Sequence, residues 1–137
     1  MLEVEGYRFM GAAFEVYNQL GYGMAEEIYQ QSLEIELSLR GIAFQSKGEL
    51  AVYYKDQLLG TRYRPDLTVF NAIVVELKAI ADLNSDHEAQ LFNYMRIARQ
   101  QVGYLLNFGK KAKLQWKRFI LTDLHSPGEE ANRACEH

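Results

Sequence analysis

Three charged residues stand inside two apolar runs. Pro65-Asp66-Leu67-Thr68-Val69 and Ile73-Val74-Val75-Glu76-Leu77-Lys78 place Asp66, Glu76 and Lys78 where strands are expected. Charged groups are depleted from sheet interiors because desolvating them is costly, so each of the three needs a compensating partner. Two carboxylates side by side repel unless a cation sits between them, and hard oxygen ligands suit Mg²⁺ or Mn²⁺. Such a cation polarises a phosphate and lowers the pKa of a bound water, while a nearby ammonium offsets charge developing on the phosphoryl oxygens. The chemistry outlined is phosphodiester cleavage.

Whether the two carboxylates meet is a question of parity. Side chains alternate along a strand, so Glu76 and Lys78 share a face and Leu77 points away. A two-residue loop at Asn71-Ala72 would pair Asp66 with Leu77 and separate the acids. A three-residue loop at Phe70-Asn71-Ala72, or a bulge beside Pro65, pairs Asp66 with Glu76, and this is the arrangement expected. Taken alone, the same residues also read as a turn aspartate and a solvated ion pair.

Periodicity defines the elements that must hold these groups. From Val4 to Leu20, the positions Met10, Ala13, Phe14, Tyr17 and Leu20 recur at helical spacing until Gly21-Tyr22-Gly23. A second helix is expected from Ala25 to Arg40, stopped by Gly41. Strands follow over Ala43–Tyr54 and Gln57–Tyr63, around a turn at Lys55-Asp56-Gln57, and over Arg64–Val69 and Ile73–Ala79. Ser85-Asp86-His87-Glu88 has the form of a capping box, opening a helix that continues to Arg99. Val102–Phe108 and Leu114–Leu121 return to strand. Tyr104 and Trp116, with apolar neighbours, read as core rather than as base-stacking residues, and His87 reads as an exposed first-turn residue. The expected fold is α/β, in the order ααββββαββ, as one domain over residues 1–122 with a frayed polar tail over 123–137.

Composition narrows the function classes. A chain of 137 residues, 48% hydrophobic, suits one domain that buries roughly two thirds of its unfolded surface. No apolar run approaches the ~20 residues of a membrane span. The opening Met-Leu-Glu-Val-Glu-Gly-Tyr-Arg lacks the basic and apolar regions of a secretory signal, so a cytoplasmic protein without membrane attachment is expected. Cys135 is the single cysteine, which excludes an intramolecular disulfide and a Cys-rich zinc site. A net charge of -3 argues against gripping nucleic acid by bulk electrostatics. Yet residues 89–122 contain no Asp or Glu while carrying Arg96, Arg99, Lys110, Lys111, Lys113, Lys117 and Arg118, a candidate basic face.

The motifs converge on one family resemblance. Pro65-Asp66 followed by Glu76-Leu77-Lys78 resembles the PD-(D/E)XK nuclease signature, spread over two adjacent strands. Gly23-Met-Ala-Glu26-Glu-Ile-Tyr29 resembles the pattern that names the GxxExxY branch of that superfamily. Gln90-Leu-Phe-Asn-Tyr94 is similar to the Gln-x-x-x-Tyr element of RecB-like nucleases. The likeness runs from Glu15 to Leu121 with all motifs in order. It departs at Tyr17, where many relatives have His.

The resemblance implies a restriction-endonuclease-like core, a central mixed sheet flanked by helices. It implies Asp66 and Glu76 as ligands of Mg²⁺ or Mn²⁺, Lys78 as the assisting cation and Glu26 as a further metal or water ligand. Gln90, Tyr94 and Tyr29 take substrate-binding or supporting roles, and the partner is nucleic acid, DNA before RNA. The sequence pI of 5.6 favours action in a homodimer or larger complex, or on a narrow substrate such as an end, flap or junction. The competing expectation is a nuclease-fold module that binds nucleic acid or a protein without cleaving.

Overall fold

The computed structural model describes residues 1–122 and the backbone of Ala134–Cys135. The frayed tail expected over 123–137 otherwise lies outside the described residues.

The apolar stripe of the first segment buries Phe9, Met10, Ala13 and Val16 along helix α1, Glu3–Leu20. Gly21 ends it at a φ of 70°, its N–H donating to the Tyr17 carbonyl at 2.8 Å, a conformation in which a Cβ would be strained. Helix α2, Glu26–Leu39, buries Tyr29, Leu33 and Leu37 on one face and carries Glu26 and Glu27 in its first turn. Strands follow as β1 (Phe44–Ser46), β2 (Leu50–Tyr54), β3 (Gln57–Tyr63), β4 (Leu67–Val69) and β5 (Ile73–Lys78). Helix α3 (Ser85–Ala98), β6 (Val102–Asn107), β7 (Gln115–Ile120) and β8 (Ala134–Cys135) complete the chain.

Six strands make a mixed sheet in the order β1-β4-β5-β6-β7-β8, with β5 and β6 parallel and the other pairings antiparallel. The parallel pair is joined through α3, as a crossover requires. Alternation along β5 divides the interior. Ile73, Val75 and Leu77 enter the larger core beneath α1 and α2, whereas Val74 joins a smaller core of Leu91, Phe92, Met95, Leu105 and Phe119 beneath α3. Gly103 permits α3 to lie close, because a Cβ there would meet Met95 Sδ at 2.6 Å. The α3 face is thus only partly filled by apolar side chains, which leaves its remaining area to polar ones. This architecture is the expected α/β core, a mixed sheet flanked by helices.

Three local expectations need correction. The single strand expected over Ala43–Tyr54 is two, because the chain turns at Lys47 with φ 52° and Gly48 between β1 and β2. Hence five strands precede α3 rather than four, three rather than two follow it because Ala134–Cys135 pairs with β7, and β2 and β3 form a separate two-stranded sheet. The cap of α3 is one residue earlier than expected. Asn84 Oδ1 accepts from the Asp86 and His87 N–H groups, and His87 Nδ1 accepts from the Asn84 N–H, so the box is Asn84 with His87. Strand β4 begins at Leu67, so Asp66 lies just before it instead of within it.

Tyr104 is buried as expected, edge-on to Phe9 and stacked with the half-buried Trp116 at 6.0 Å. No helix among the described residues is long and apolar enough to cross a membrane.

Candidate functional site

The register of β4 and β5 answers the parity question. Val69 pairs with Ile73 across Phe70-Asn71-Ala72, and Thr68 and Leu67 pair with Val74 and Val75. One step further sets Asp66 opposite Glu76. The three-residue loop is possible because Phe70 and Asn71 both take φ 56°. Cross-bonds confirm the pairing: the Leu77 N–H donates to Asp66 Oδ2 at 2.8 Å, and the Asp66 N–H donates to Glu76 Oε2 at 3.2 Å. Asp66, Glu76 and Lys78 are half-buried, and Glu76 and Lys78 share the β5 face that bears α3.

Charge makes this pairing costly without a counter-ion. Burial pushes the Glu76 carboxyl up to about 7, the Asp66 carboxylate adds to the rise, and the Tyr63 hydroxyl, the Asp66 N–H and Lys78 oppose it. Asp66 is likewise raised, first by burial, against the Leu77 N–H, Lys47 and Lys78. The two titrate as a pair that retains a proton towards neutral pH. Glu26 is solvent-accessible at the start of α2, yet partial desolvation and then Asp66 raise its carboxyl, while Lys78 and Lys47 lower it. It is therefore within the field of the site. Lys78 acts on all three carboxyls through space, and among the described residues its ammonium has no hydrogen-bond or ion-pair partner.

The supporting residues divide. Tyr94 of α3 stacks on Tyr63, ring centroids 4.0 Å apart, and the Tyr63 hydroxyl donates to Glu76 Oε2 at 2.7 Å. Tyr94 therefore reaches the acids through Tyr63. Gln90 is exposed one turn earlier on α3. Tyr29 is fully buried: it stacks on Phe108 at 4.6 Å, donates to the Gly21 carbonyl at 2.6 Å and accepts from the Met24 N–H. Its role is to pin the α1–α2 connection, which sets where Glu26 begins its helix. Tyr17 donates to the Lys110 carbonyl at 2.7 Å and so fixes the β6–β7 loop.

Three residues that sequence reasoning missed hold the acids in place. Tyr63 anchors Glu76. Gln30, 2% exposed, donates to the Asp66 carbonyl at 2.8 Å, to Glu34 and to Ser46. Lys47 donates its N–H to the same carbonyl, while its ammonium pairs with Glu27 at 3.0 Å and feels the Asp66 charge. The only available signals were position: Tyr63 stands three residues before Asp66, and Gln30 directly follows Tyr29. An open cleft of about 740 Å³ between α2 and β1 borders Lys47 and Glu27, but none of Asp66, Glu76 or Lys78 lines it. Among the described residues, no three His, Cys, Asp or Glu side chains gather in a metal-binding group, so Glu26 does not close on the pair.

The family model of the PD-(D/E)XK nuclease superfamily matches residues 3–119. The chain belongs to that superfamily. Nearly the whole described fold lies within the match, including all the residues above. No curated protein is significantly similar to the chain. Among solved structures, the crystal structure of SSO0001 is similar with a TM-score of 0.57 and 18% identity, over 69% of this chain and 50% of that one. The likeness is one of fold, and this chain spans about half the length of that relative.

Proposed function

We propose that this chain is a divalent-metal-dependent nuclease that hydrolyses nucleic-acid phosphodiester bonds at Asp66, Glu76 and Lys78. The observation that carries the reading is the facing, half-buried pair of carboxylates whose proton affinities are raised by burial. A hard divalent cation relieves that repulsion with the donor type it prefers, so the residues fit Mg²⁺ or Mn²⁺. Asp66 and Glu76 would hold it, and Glu26, which does not close on the pair, would reach it through a water. When bound, the cation would polarise the scissile phosphate and acidify a water.

The chain's own groups perform the remaining tasks. The Leu77 N–H and the Tyr63 hydroxyl fix the two carboxylates, so little reorganisation is needed as substrate arrives. Gln30 and the Lys47 N–H hold the Asp66 peptide from the other side. Lys78, with its ammonium uncommitted, orients the attacking water or offsets charge on the phosphoryl oxygens. Gln90 lies four residues before Tyr94 on one helix face, suited to a substrate phosphate. The Gly23–Tyr29 motif supports membership of the GxxExxY branch, and DNA is the favoured polymer. The alternative of a silent binding module draws on the lack of a third gathered acid, but leaves a buried like-charge pair without a purpose.

The test is cleavage of labelled DNA and RNA, single- and double-stranded, with Mg²⁺ or Mn²⁺ against EDTA. Metal-dependent cleavage is expected, and it is lost in Asp66→Ala and Lys78→Ala. Cleavage that survives both substitutions, or no metal-dependent cleavage of any substrate, refutes the proposal.

A further inference from the structure

The β2–β3 hairpin contributes little to the core. It forms its own two-stranded sheet and exposes Tyr53 at 62%, Tyr54 at 64% and Leu58 at 53%. Isolated two-stranded hairpins are marginal, so aromatic area left in water on one implies a use outside folding. Its shape is nevertheless well defined. Tyr54 pairs with Gln57 across Lys55 and Asp56, both at positive φ, the geometry of a tight two-residue turn. Its base is joined to the acid pair, because Leu50 pairs with Tyr63, whose ring stacks on Tyr94 and whose hydroxyl holds Glu76.

Alternation settles which tip residue looks toward the site. Along β2, Leu50, Val52 and Tyr54 share one face, and Leu50 lies opposite Tyr63, so Tyr54 is on the Tyr63 side. Tyr53, paired with Leu58, is on the other side. The irregularity between the Ala51 and Tyr53 pairings places its extra residues on β3, around Gly60, and leaves β2 regular. Four residues of strand separate base and tip, about 13 Å. The Tyr54 ring, with the Lys55 ammonium 5.6 Å from its centroid, thus stands at the tip of the same hairpin face whose base carries the stacked Tyr63–Tyr94 pair and, through the Tyr63 hydroxyl, Glu76.

We propose that this hairpin is an arm that binds single-stranded nucleic acid, with unpaired bases stacking on its Tyr54 face as the strand is led to the acid pair. Charge points to unpaired bases rather than to duplex. The arm carries only Lys55 and Arg62 against Asp56, and the whole chain is at -3, too little to hold a duplex by its phosphates. Stacking supplies affinity without net charge and needs bases that are not already stacked on a complement. The inference rests on the nuclease reading for its destination, not for the binding itself.

Fluorescence anisotropy of labelled single-stranded DNA, single-stranded RNA and duplex DNA in EDTA tests the arm separately from cleavage. Single strands of one or both polymers are expected to bind more tightly than duplex. Tyr54→Ala weakens single-strand binding by about tenfold, Tyr54→Phe retains it, and Tyr53→Ala changes it less than about twofold. Tyr54 is largely exposed, so these variants fold. Equal losses at Tyr53 and Tyr54, duplex binding tighter than single-strand binding, no binding at all, or a change of oligomeric state on hairpin substitution each overturn the proposal. Cleavage unaffected by Tyr54→Ala overturns the arm and spares the nuclease. Tyr54-dependent binding without metal-dependent cleavage supports the arm and refutes the nuclease.

Discussion

Replacing Glu76 by glutamine should stabilise the cation-free protein above neutral pH, an unusual result for a half-buried residue with two hydrogen bonds. The Glu76 carboxyl ionises at about 7 in the folded chain against an ordinary value of 4.5. A carboxyl with a raised folded-state pKa binds its proton more tightly when folded. Below 4.5 it is neutral in both states and costs nothing. Between 4.5 and about 7 the unfolded chain ionises first, so stability falls as pH rises, and above about 7 the loss is complete. An interval of about 2.5 pH units at ~1.4 kcal/mol each gives a loss on the order of 3 kcal/mol. Asp66 is raised too, so the loss belongs to the pair and has one sign.

Glutamine keeps an oxygen to accept from the Tyr63 hydroxyl and the Asp66 N–H while removing the charge, which also relieves Asp66. Urea unfolding in EDTA at about pH 5 and pH 8 therefore gives similar stabilities for the two proteins at the lower pH. At the higher pH the variant is ahead by about 2–3 kcal/mol. Mg²⁺ at about a hundred times its Kd then raises the wild type by ~2.7 kcal/mol and leaves the variant nearly unchanged. A wild type whose stability is flat between these pH values, or a Glu76→Gln variant less stable than wild type at the higher one, would refute the electrostatic account of the site.

Tyr63→Phe removes the donor that lowers the Glu76 carboxyl, so the fall in stability should move to higher pH, and metal-dependent cleavage should drop about tenfold below pH 7. Titration of the fall in stability with pH checks the direction; a shift to lower pH contradicts it. Lys78→Ala should leave urea stability within about 0.5 kcal/mol near pH 5, where the acid pair keeps its proton, and move the fall in stability to higher pH because its charge lowers both carboxyls, yet lower kcat by about 10²–10³ with Mg²⁺-induced stabilisation retained. Loss of that stabilisation would instead make Lys78 part of the cation site's fold. Gln30→Ala should cost about 2 kcal/mol because it strips a buried donor from the Asp66 carbonyl and leaves Glu34 and Ser46 short of a partner. Chemical denaturation measures it, and a near-neutral effect would show that Lys47 alone suffices to hold that carbonyl.

What is legible in the sequence is what depends on counting. The meeting of Asp66 with Glu76 required only that the loop between β4 and β5 be odd, and strand alternation carries that parity without knowledge of packing. The two-helix start followed from periodicity for the same reason, and α3 from the capping signal ahead of it. The turn at Lys47 escapes the pattern because the β-forming residues on either side read as one run, and the polar break Gln45-Ser46-Lys47-Gly48-Glu49 between them carries one glycine and no proline. The cap at Asn84 was displaced because Asn84 and Ser85 are both good cap residues, and the choice between them was made by His87 Nδ1.

Tyr63, Gln30 and Lys47 were invisible for a different reason. Each reaches the acids across a sequence distance that no local rule prescribes: 13 residues from Tyr63 to Glu76, 36 from Gln30 to Asp66. The motif names the groups that would meet a cation and a phosphate, because their chemistry admits few substitutes. The residues that hold those groups are set by where the helices and the hairpin pack, and many polar side chains can donate to a carbonyl or a carboxylate. A chain can thus keep Asp66, Glu76 and Lys78 and still lose the site through Gln30 or Tyr63. The Gln30→Ala and Tyr63→Phe measurements therefore bear on the nuclease reading as directly as substitutions within the motif itself.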